Sequence, residues 1–162
     1  MANTNIIQII NQGGYFDLQF RRDVKHDRLN SPTYYRWKAQ FVVTENIQNL
    51  NILEKIKKIL KCGKINAIKD QARYSVQNIE EIKNAIIPYF KEHTLNEKKK
   101  KDFELWSKAV DVIYINKGRN LSIWKKEDFQ KLIEIQKSIK KYKEKPKQSK
   151  WFSMAETLAE KL

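Results

Sequence analysis

The chain has almost none of the residues from which disulfide scaffolds and zinc sites are built. Its 162 residues include a single cysteine, Cys62, and two histidines, His26 and His93, which lie far apart in the sequence. One thiol cannot form a disulfide framework within the chain, and a structural zinc site needs four closely spaced cysteines and histidines. The sequence therefore excludes a disulfide scaffold and a thiolate zinc centre.

Acidic residues and long apolar runs are also scarce. Asp and Glu number 19 against 33 Lys and Arg, which gives a formal charge of +14 and a pI near 9.7. No apolar run approaches the ~20 residues of a membrane-spanning helix, so we expect a soluble protein with no membrane role. A domain this basic usually binds a polyanion, most often nucleic acid. A lysine-rich surface without such a partner is the alternative.

What the chain does contain is a sharp change of hydrophobic period near its start. The segment IIQIINQGG (6–14) predicts a short apolar helix that ends at two glycines. From Tyr15 the period becomes two, and Phe16, Leu18 and Phe20 share one face of a strand. We expect that face to join a core and the other to be polar and solvated. The polar positions of this strand are Asp17, Gln19 and Arg21.

Alternating sequence predicts three more strands. The segment YYRWKAQFVVTE (34–45) pairs with the first strand across a polar connection, where Pro32 excludes regular helix. Two short strands, KINAIKD (64–70) and ARYSVQN (72–78), follow with a turn near Asp70. Their expected core-facing residues are Ile65, Ala67, Tyr74 and Val76.

Helical periodicity predicts the other elements. Gly63 and Gly118 are placed to end two of the helices, Asn78 to cap one, and Pro88 to bend or break it. The predicted helices cover about 46–61, 78–92, 94–116 and 122–142.

The order of these elements predicts an α+β fold. A helix, two strands, a helix, two strands and further helices would form a four-stranded antiparallel sheet with helices on one face. Residues 1–142 would form this domain, and residues 143–162 a basic linker with a short C-terminal docking helix.

Two stretches carry a family resemblance. They are RWKAQFVVTENIQNLNILEKIKKILKCGKI, from Arg36, and YSVQNIEEIKNAIIPYFKEHTLNEKKKKDFELWSKAVDVI, from Tyr74. With the glycine after the second main helix, the IIPYF segment and the lysines before DFEL, the chain resembles the single-motif LAGLIDADG homing endonucleases over about 6–142. The resemblance implies an αββαββα saddle whose concave sheet face lies in a nucleic-acid groove.

The resemblance also implies roles for the polar face of the sheet. Family members place base- and backbone-contacting side chains at the positions that the alternation predicts, and Arg, Lys, Gln and Asn suit groove edges and phosphates. A solvated sheet face without a partner is the alternative. The candidate nucleic-acid-binding residues are Asp17, Gln19, Arg21, Arg22, Arg36, Lys38, Gln40, Val42, Lys64, Asn66, Arg73, Ser75, Gln77, Lys98 and Lys99.

The motif itself departs from the family pattern. Aligned on Gly14, the sequence has Gly13 where active members have the acid that binds a divalent metal. Hydrolysis of this kind needs carboxylate oxygens around Mg²⁺, and glycine supplies none. Lys98, at the family's active-site lysine, and Glu45, near a water-ordering glutamine, are remnants. We expect no cofactor and no cleavage, and Mg²⁺ only in an active endonuclease that binds it through Asp17 or Glu45.

The first helix differs from the family as well. The resemblance implies that two saddles pair through small residues on their first helices, which lets the two backbones approach. Ile7 and Gln8 occupy those places here. We therefore do not expect the close homodimer of the family.

The predicted function is a non-catalytic, RNA-binding protein on a decayed endonuclease scaffold. Family relatives without cleavage serve as RNA-binding splicing cofactors, and a structural ribonucleoprotein component such as a mitochondrial ribosomal protein is favoured. The C-terminal helix would dock on a neighbouring subunit or on its own body. Abundant Lys, Asn and Ile predict an organelle-encoded protein of the mitochondrion or plastid. The alternatives are a homodimeric homing DNA endonuclease, an RNA intron maturase and a protein-interaction scaffold.

Overall fold

Four strands form one antiparallel sheet in the order β1-β2-β4-β3 in the computed structural model, which describes residues 2–24, 33–119 and 121–139. The predicted α+β fold with helices on one face of the sheet is confirmed. The strands are β1 Gly14–Val24, β2 Thr33–Asn46, β3 Lys64–Ile68 and β4 Gln71–Val76. The helices are α1 Ala2–Gly13, α2 Leu50–Leu60, α3 (79–92), α4 Glu97–Ile115 and α5 Lys126–Ser138.

The helix α1 runs directly into β1 without a loop, as the two glycines predict. A Cβ atom at Gly14 would lie 2.8 Å from both the carbonyl oxygen and the side chain of Ile10. Real Cβ atoms do not approach backbone this closely, so any other residue would push helix and strand apart. Ile6 and Ile10 are buried and anchor the helix on the sheet.

The apolar side of the sheet is an aromatic core, as the alternation predicts. Phe16 is buried, and its ring centroid lies 5.2 Å from that of Phe41, directly opposite on β2. It also contacts rings from α3 and α4, with centroids 5.5 Å away at Phe90 and 5.0 Å at Trp106. Rings at such separations add attraction beyond the burial of apolar area. The sheet and two helices therefore share one packed centre.

The chain departs from the predictions around α2 and β3. A 3-10 turn at Ile47–Asn49 precedes α2, which therefore begins at Leu50 and not at the predicted Asn46. The helix ends at Leu60, one residue before the predicted end, because Lys61 adopts the left-handed conformation (φ 59°). The β3–β4 turn begins at Lys69, one residue earlier than predicted. Ala67, which was expected in the core, is exposed because β3 is the edge strand and α2 does not cover this end of it.

The helix α3 passes through Pro88 without breaking. Asn78 caps it, and its side-chain oxygen accepts hydrogen bonds from the backbone N–H groups of Glu80 and Glu81. A π turn over Ile82–Ile86 widens the helix just before the proline. Pro88 then lies in the first turn of a new α-helical stretch, where its missing N–H is not needed.

Both long C-terminal helices hold the backbone of β1. The indole Nε1 of Trp106 in α4 donates to the carbonyl of Asp17 at 2.9 Å, and Nε2 of Gln136 in α5 donates to the carbonyl of Leu18 at 2.9 Å. In and beside α5, the apolar residues Trp124, Phe129, Leu132, Ile133 and Ile139 are buried.

Two predicted segments lie outside the described residues, namely the connection with Pro32 and the linker and helix at 143–162. Among the helices that the structure describes, none has the length and apolarity to cross a bilayer.

A buried tyrosine near Gly63 makes the stability of the fold fall at high pH. The hydroxyl of Tyr74 donates to the carbonyl of Cys62 at 2.7 Å, and burial raises the pKa of Tyr74 above its ordinary value of 10.0. The folded chain then holds this proton more tightly than the unfolded chain, so its stability contribution is complete below about pH 10 and falls as the pH rises further. We expect the free energy of unfolding, measured in urea from about pH 8 to about pH 11, to decline less steeply in Tyr74→Phe. An equally steep decline in Tyr74→Phe and in the native chain would contradict the assignment.

Candidate nucleic-acid interface

The face of the sheet away from the helices, here called the polar face, carries most of the candidate residues. One end of this face, called the outer end, is formed by the C-terminal part of β1 and the N-terminal part of β2. There Arg21 on β1 lies directly opposite Arg36 on β2, and both side chains are exposed. Next to them, Gln19 lies opposite Lys38. This end of the polar face therefore carries several cationic side chains, which suit a bound anion.

The centre of the polar face is closed by side-chain hydrogen bonds. Asp17 and Gln40 lie directly opposite each other, and both are buried. The carboxylate of Asp17 accepts Nε2–H bonds from Gln19 at 2.6 Å and from Gln40 at 2.8 Å. Nε2 of Gln77 donates to Gln40 at 3.2 Å, and Nζ of Lys38 donates to Gln77 at 2.6 Å. These five residues form a connected network, which is called the amide network below.

The expectation that the polar face is solvated throughout is wrong at its centre. Besides Asp17 and Gln40, the opposed pair Val42 and Ser75 is buried. Long neighbouring side chains cover these positions, and the hydrogen bonds within the network replace those that water would make. A central carboxylate held in this way is a structural group of the sheet, and the exposed ends of the face remain for a partner.

Sequence reasoning missed Tyr15, which shares the polar face and is half-buried beside the centre. Burial raises the pKa of Tyr15, and the nearby charge of Arg73 offsets part of that rise. The signal was available, because Tyr15 precedes Asp17 by two residues and so belongs to the same face.

The opposite end of the polar face, called the inner end, is formed by β3 and β4 and is also basic. Arg73 on β4 lies opposite Asn66 on β3, and both are exposed, as is Lys64 two residues away. Along β2, Arg36 and Thr44, the residue opposite Arg73, are separated by eight positions (44 minus 36), or about 27 Å of strand. The polar face thus has two basic ends with a neutral, hydrogen-bonded centre between them.

The motif end of α1 does not fit a divalent metal. A Cβ atom at Gly13 would lie 2.9 Å from the carbonyl oxygen of Thr44 and 4.0 Å from Oε1 of Glu45, so β2 already occupies the space of an acidic side chain. The carbonyl of Gly14 accepts a hydrogen bond from the ammonium of Lys99. One carboxylate beside an ammonium is a poor donor set for Mg²⁺. Among the described residues, no group of three or more His, Cys, Asp and Glu could hold a metal ion.

The remaining candidates are placed as follows. Lys98 is exposed in the first turn of α4, and the lysine that reaches the motif is its neighbour Lys99. Glu45 is half-buried and accepts a weak hydrogen bond from Asn49 at 3.4 Å. Arg22 is paired with a tyrosine of β2 in the register, and its side chain lies outside the described set.

Comparison with known proteins matches this chain to endonucleases. A family model described as LAGLIDADG endonuclease matches residues 14–110, which is more than half of the chain. A curated protein of Mycosarcoma maydis described as probable intron-encoded DNA endonuclease 1 is 25% identical over 99 residues, which are 60% of this chain and 33% of that protein. The chain therefore spans about a third of the length of this curated relative.

Solved structures share the fold. The homing endonuclease I-TnaI superposes with a TM-score of 0.70 at 14% identity and covers 98% of this chain and 96% of its own. The I-LtrWI LAGLIDADG homing endonuclease, solved with its target DNA, gives a TM-score of 0.71 at 25% identity and covers 90% of this chain. That match involves 48% of the I-LtrWI chain, so this chain corresponds to about half of it.

Proposed function

From the premise that this chain belongs to the LAGLIDADG endonuclease family, we propose that it is a nucleic-acid-binding protein that does not cleave its target. The observation that carries this proposal is the exposed pair of Arg21 and Arg36. Both guanidinium groups belong to exposed side chains of the polar face, and phosphates pair well with guanidinium forks. A formal charge of +14 draws such a polyanion to the chain.

The geometry of the motif supports the absence of cleavage. The acid-bearing position is Gly13, the carbonyl of Thr44 fills the space beside it, and the ammonium of Lys99 takes the carbonyl of Gly14. The carbonyl beside the motif thus already has a cation of the chain itself as its partner, and the motif offers no carboxylate of its own. We propose that Lys98 and Lys99 serve near the backbone of the bound nucleic acid and not in hydrolysis.

RNA is the proposed target, and a structural role in an organellar ribonucleoprotein is the proposed setting. A chain that binds without cleaving has no use for a cleavable DNA site, whereas a permanent ribonucleoprotein needs only affinity and a fixed orientation. The mitochondrion or plastid is the proposed location, in keeping with the intron-encoded description of the relative from Mycosarcoma maydis. DNA binding is the competing outcome, since the relatives are described as DNA endonucleases.

Binding of labelled RNA hairpins and DNA duplexes, followed by fluorescence anisotropy with Mg²⁺ and with EDTA, tests the proposal. We expect salt-dependent binding in both buffers, tighter for RNA, and no nicking of either polymer. The double substitution Arg21→Ala and Arg36→Ala should weaken binding about tenfold or more and reduce the slope of log K against log salt by about 2.

A matched control removes two exposed lysines from α5, Lys126→Ala and Lys131→Ala. This pair lowers the net charge equally but lies off the polar face, so affinity should change much less. Equal losses in both double variants would show a non-specific charge effect and overturn the assignment to the polar face. Mg²⁺-dependent nicking by the native chain would overturn the non-catalytic function.

A further inference from the structure

A second surface lies on the helix side of the sheet, away from the polar face. An open groove of about 620 Å³ runs between α2 and β3. Leu50, Ile65 and Ala67 form apolar parts of its wall. Its cationic rim consists of Lys57, Lys58 and Lys61, and the acidic residue of its lining is Glu54.

The lysines of the rim point to one side of the helix. Positions 50, 54, 57 and 58 are spaced i, i+4, i+7 and i+8, which places them on one face of α2, and Lys61 follows directly after the end of the helix. Lys57, Lys58 and Lys61 are exposed. Two of them, Lys57 and Lys58, are in the last turn, where they also offset the partial negative charge of the helix end. Three cations against one carboxylate leave the groove with a net positive charge.

The backbone beside this groove is available for pairing. In the described sheet β3 has β4 as its neighbour on one side and forms the sheet edge on the other. Ile68 and Gln71 close a two-residue hairpin, and the two residues of such a closing pair hydrogen-bond to each other through both backbone groups. Along β3, hydrogen-bonded and non-hydrogen-bonded pairs then alternate. The N–H and C=O groups of Ile65 and Ala67 therefore point away from β4, toward the open edge. Ile68 ends the strand and is 73% exposed.

The opposite edge of the sheet is partly engaged. The carbonyls of Asp17 and Leu18 accept hydrogen bonds from the side chains of Trp106 and Gln136, and because successive carbonyls of a strand point to opposite sides, one of the two lies on the outer edge of β1. Folded proteins usually block edge strands in such ways, because an open edge recruits other strands. The contrast marks β3 as the edge of the sheet that can receive a partner.

We propose that the groove between α2 and β3 binds an extended, acidic segment of a partner protein, which adds a strand to β3. Backbone pairing with Ile65 and Ala67 would hold the segment, its apolar side chains would cover the groove wall, and its carboxylates would reach the lysine rim. A sugar–phosphate backbone would satisfy the lysines but not the apolar wall or the strand edge. This surface acts independently of nucleic-acid binding at the polar face.

A labelled peptide of alternating Glu and Val, about ten residues long, is the probe for anisotropy measurements on the full chain. We expect binding that weakens about tenfold or more in the triple variant Lys57→Glu, Lys58→Glu and Lys61→Glu. A second variant, Ala67→Pro, removes an edge-facing N–H and should weaken binding similarly while leaving the pairing with β4 intact. A milder variant, Lys58→Ala, gives a folded intermediate case, and circular dichroism checks the fold of each.

The control triple variant carries the same change of charge at Lys125, Lys126 and Lys131, which are exposed near α5. It should retain peptide affinity. Equal losses in both triple variants, or full affinity in Ala67→Pro, would overturn the proposal. If the variants of the lysine rim lose affinity for RNA but keep their affinity for the peptide, the groove binds a phosphate backbone and the proposal is wrong. Loss of RNA binding alone in the Arg21 and Arg36 double variant would separate the two surfaces.

Discussion

Restoring an acid at position 13 is expected to destabilise the chain without creating a nuclease. In Gly13→Asp the new Cβ would start 2.9 Å from the carbonyl oxygen of Thr44, and the new carboxylate would face that of Glu45. Forced expansion of a packed site costs about 1–3 kcal/mol, and the repulsion between the two carboxylates adds to it. Urea unfolding should show this loss, and a supercoiled plasmid should remain intact in Mg²⁺.

Two further variants separate the steric part of the destabilisation from the part that is due to the new charge. Gly13→Ala adds the same Cβ without a charge and should account for most of the destabilisation. Gln12→Asp places a carboxylate on an exposed position one residue earlier and should stay within about 0.5 kcal/mol of the native chain. Mg²⁺-dependent nicking by Gly13→Asp, with an unchanged unfolding curve, would show that the space beside the motif is open after all.

Removal of the central carboxylate of the polar face should have the second large effect. Asp17→Ala leaves the amide N–H groups of Gln19 and Gln40 without their acceptor, and Gln40 is 3% exposed. Loss of two charge-assisted hydrogen bonds in a buried network should lower the free energy of unfolding by about 2–4 kcal/mol. Urea unfolding measures this loss, and Asp17→Asn, which keeps one oxygen, should show a smaller one.

A matched acid on the surface controls for charge. Asp111 makes an exposed ion pair with Lys83, and Asp111→Ala should cost less than about 1 kcal/mol. A structural role for Asp17 predicts that its variants lose stability first and RNA affinity only through the orientation of Lys38. The opposite result, native stability with an altered cleavage or metal response, would assign Asp17 to chemistry.

The fold and the two faces of the sheet follow closely from the sequence. Period-two alternation from Tyr15 placed Phe16 and Leu18 in the core, and the glycines placed the junction of α1 and β1 correctly. These features depend on local spacing, which a sequence displays directly. The closed centre of the polar face does not follow from local spacing. Asp17 and Gln40 are 23 residues apart in the sequence, and only the β1–β2 register brings them together.

The details of the motif were out of reach for similar reasons. A run of four lysines begins at Lys98, and the phase of α4 decides that Lys99 reaches the carbonyl of Gly14. The left-handed residue that ends α2 was also out of reach, because lysine rarely adopts this conformation, yet Lys61 does so here. Gly63 is still required, since its own φ is 97° and the ring of Tyr74 lies against it.

The unequal edges of the sheet also limit how copies of this chain can stack. A filament grows only when each subunit presents two complementary edges, one for the copy before it and one for the copy after it. Here one edge-facing carbonyl of β1 is engaged by a helix side chain, which leaves β3 as the more open edge of the described sheet. Two copies that met through β3 would close as a symmetric pair and end there. Growth into fibres is thus opposed by topology as well as by charge.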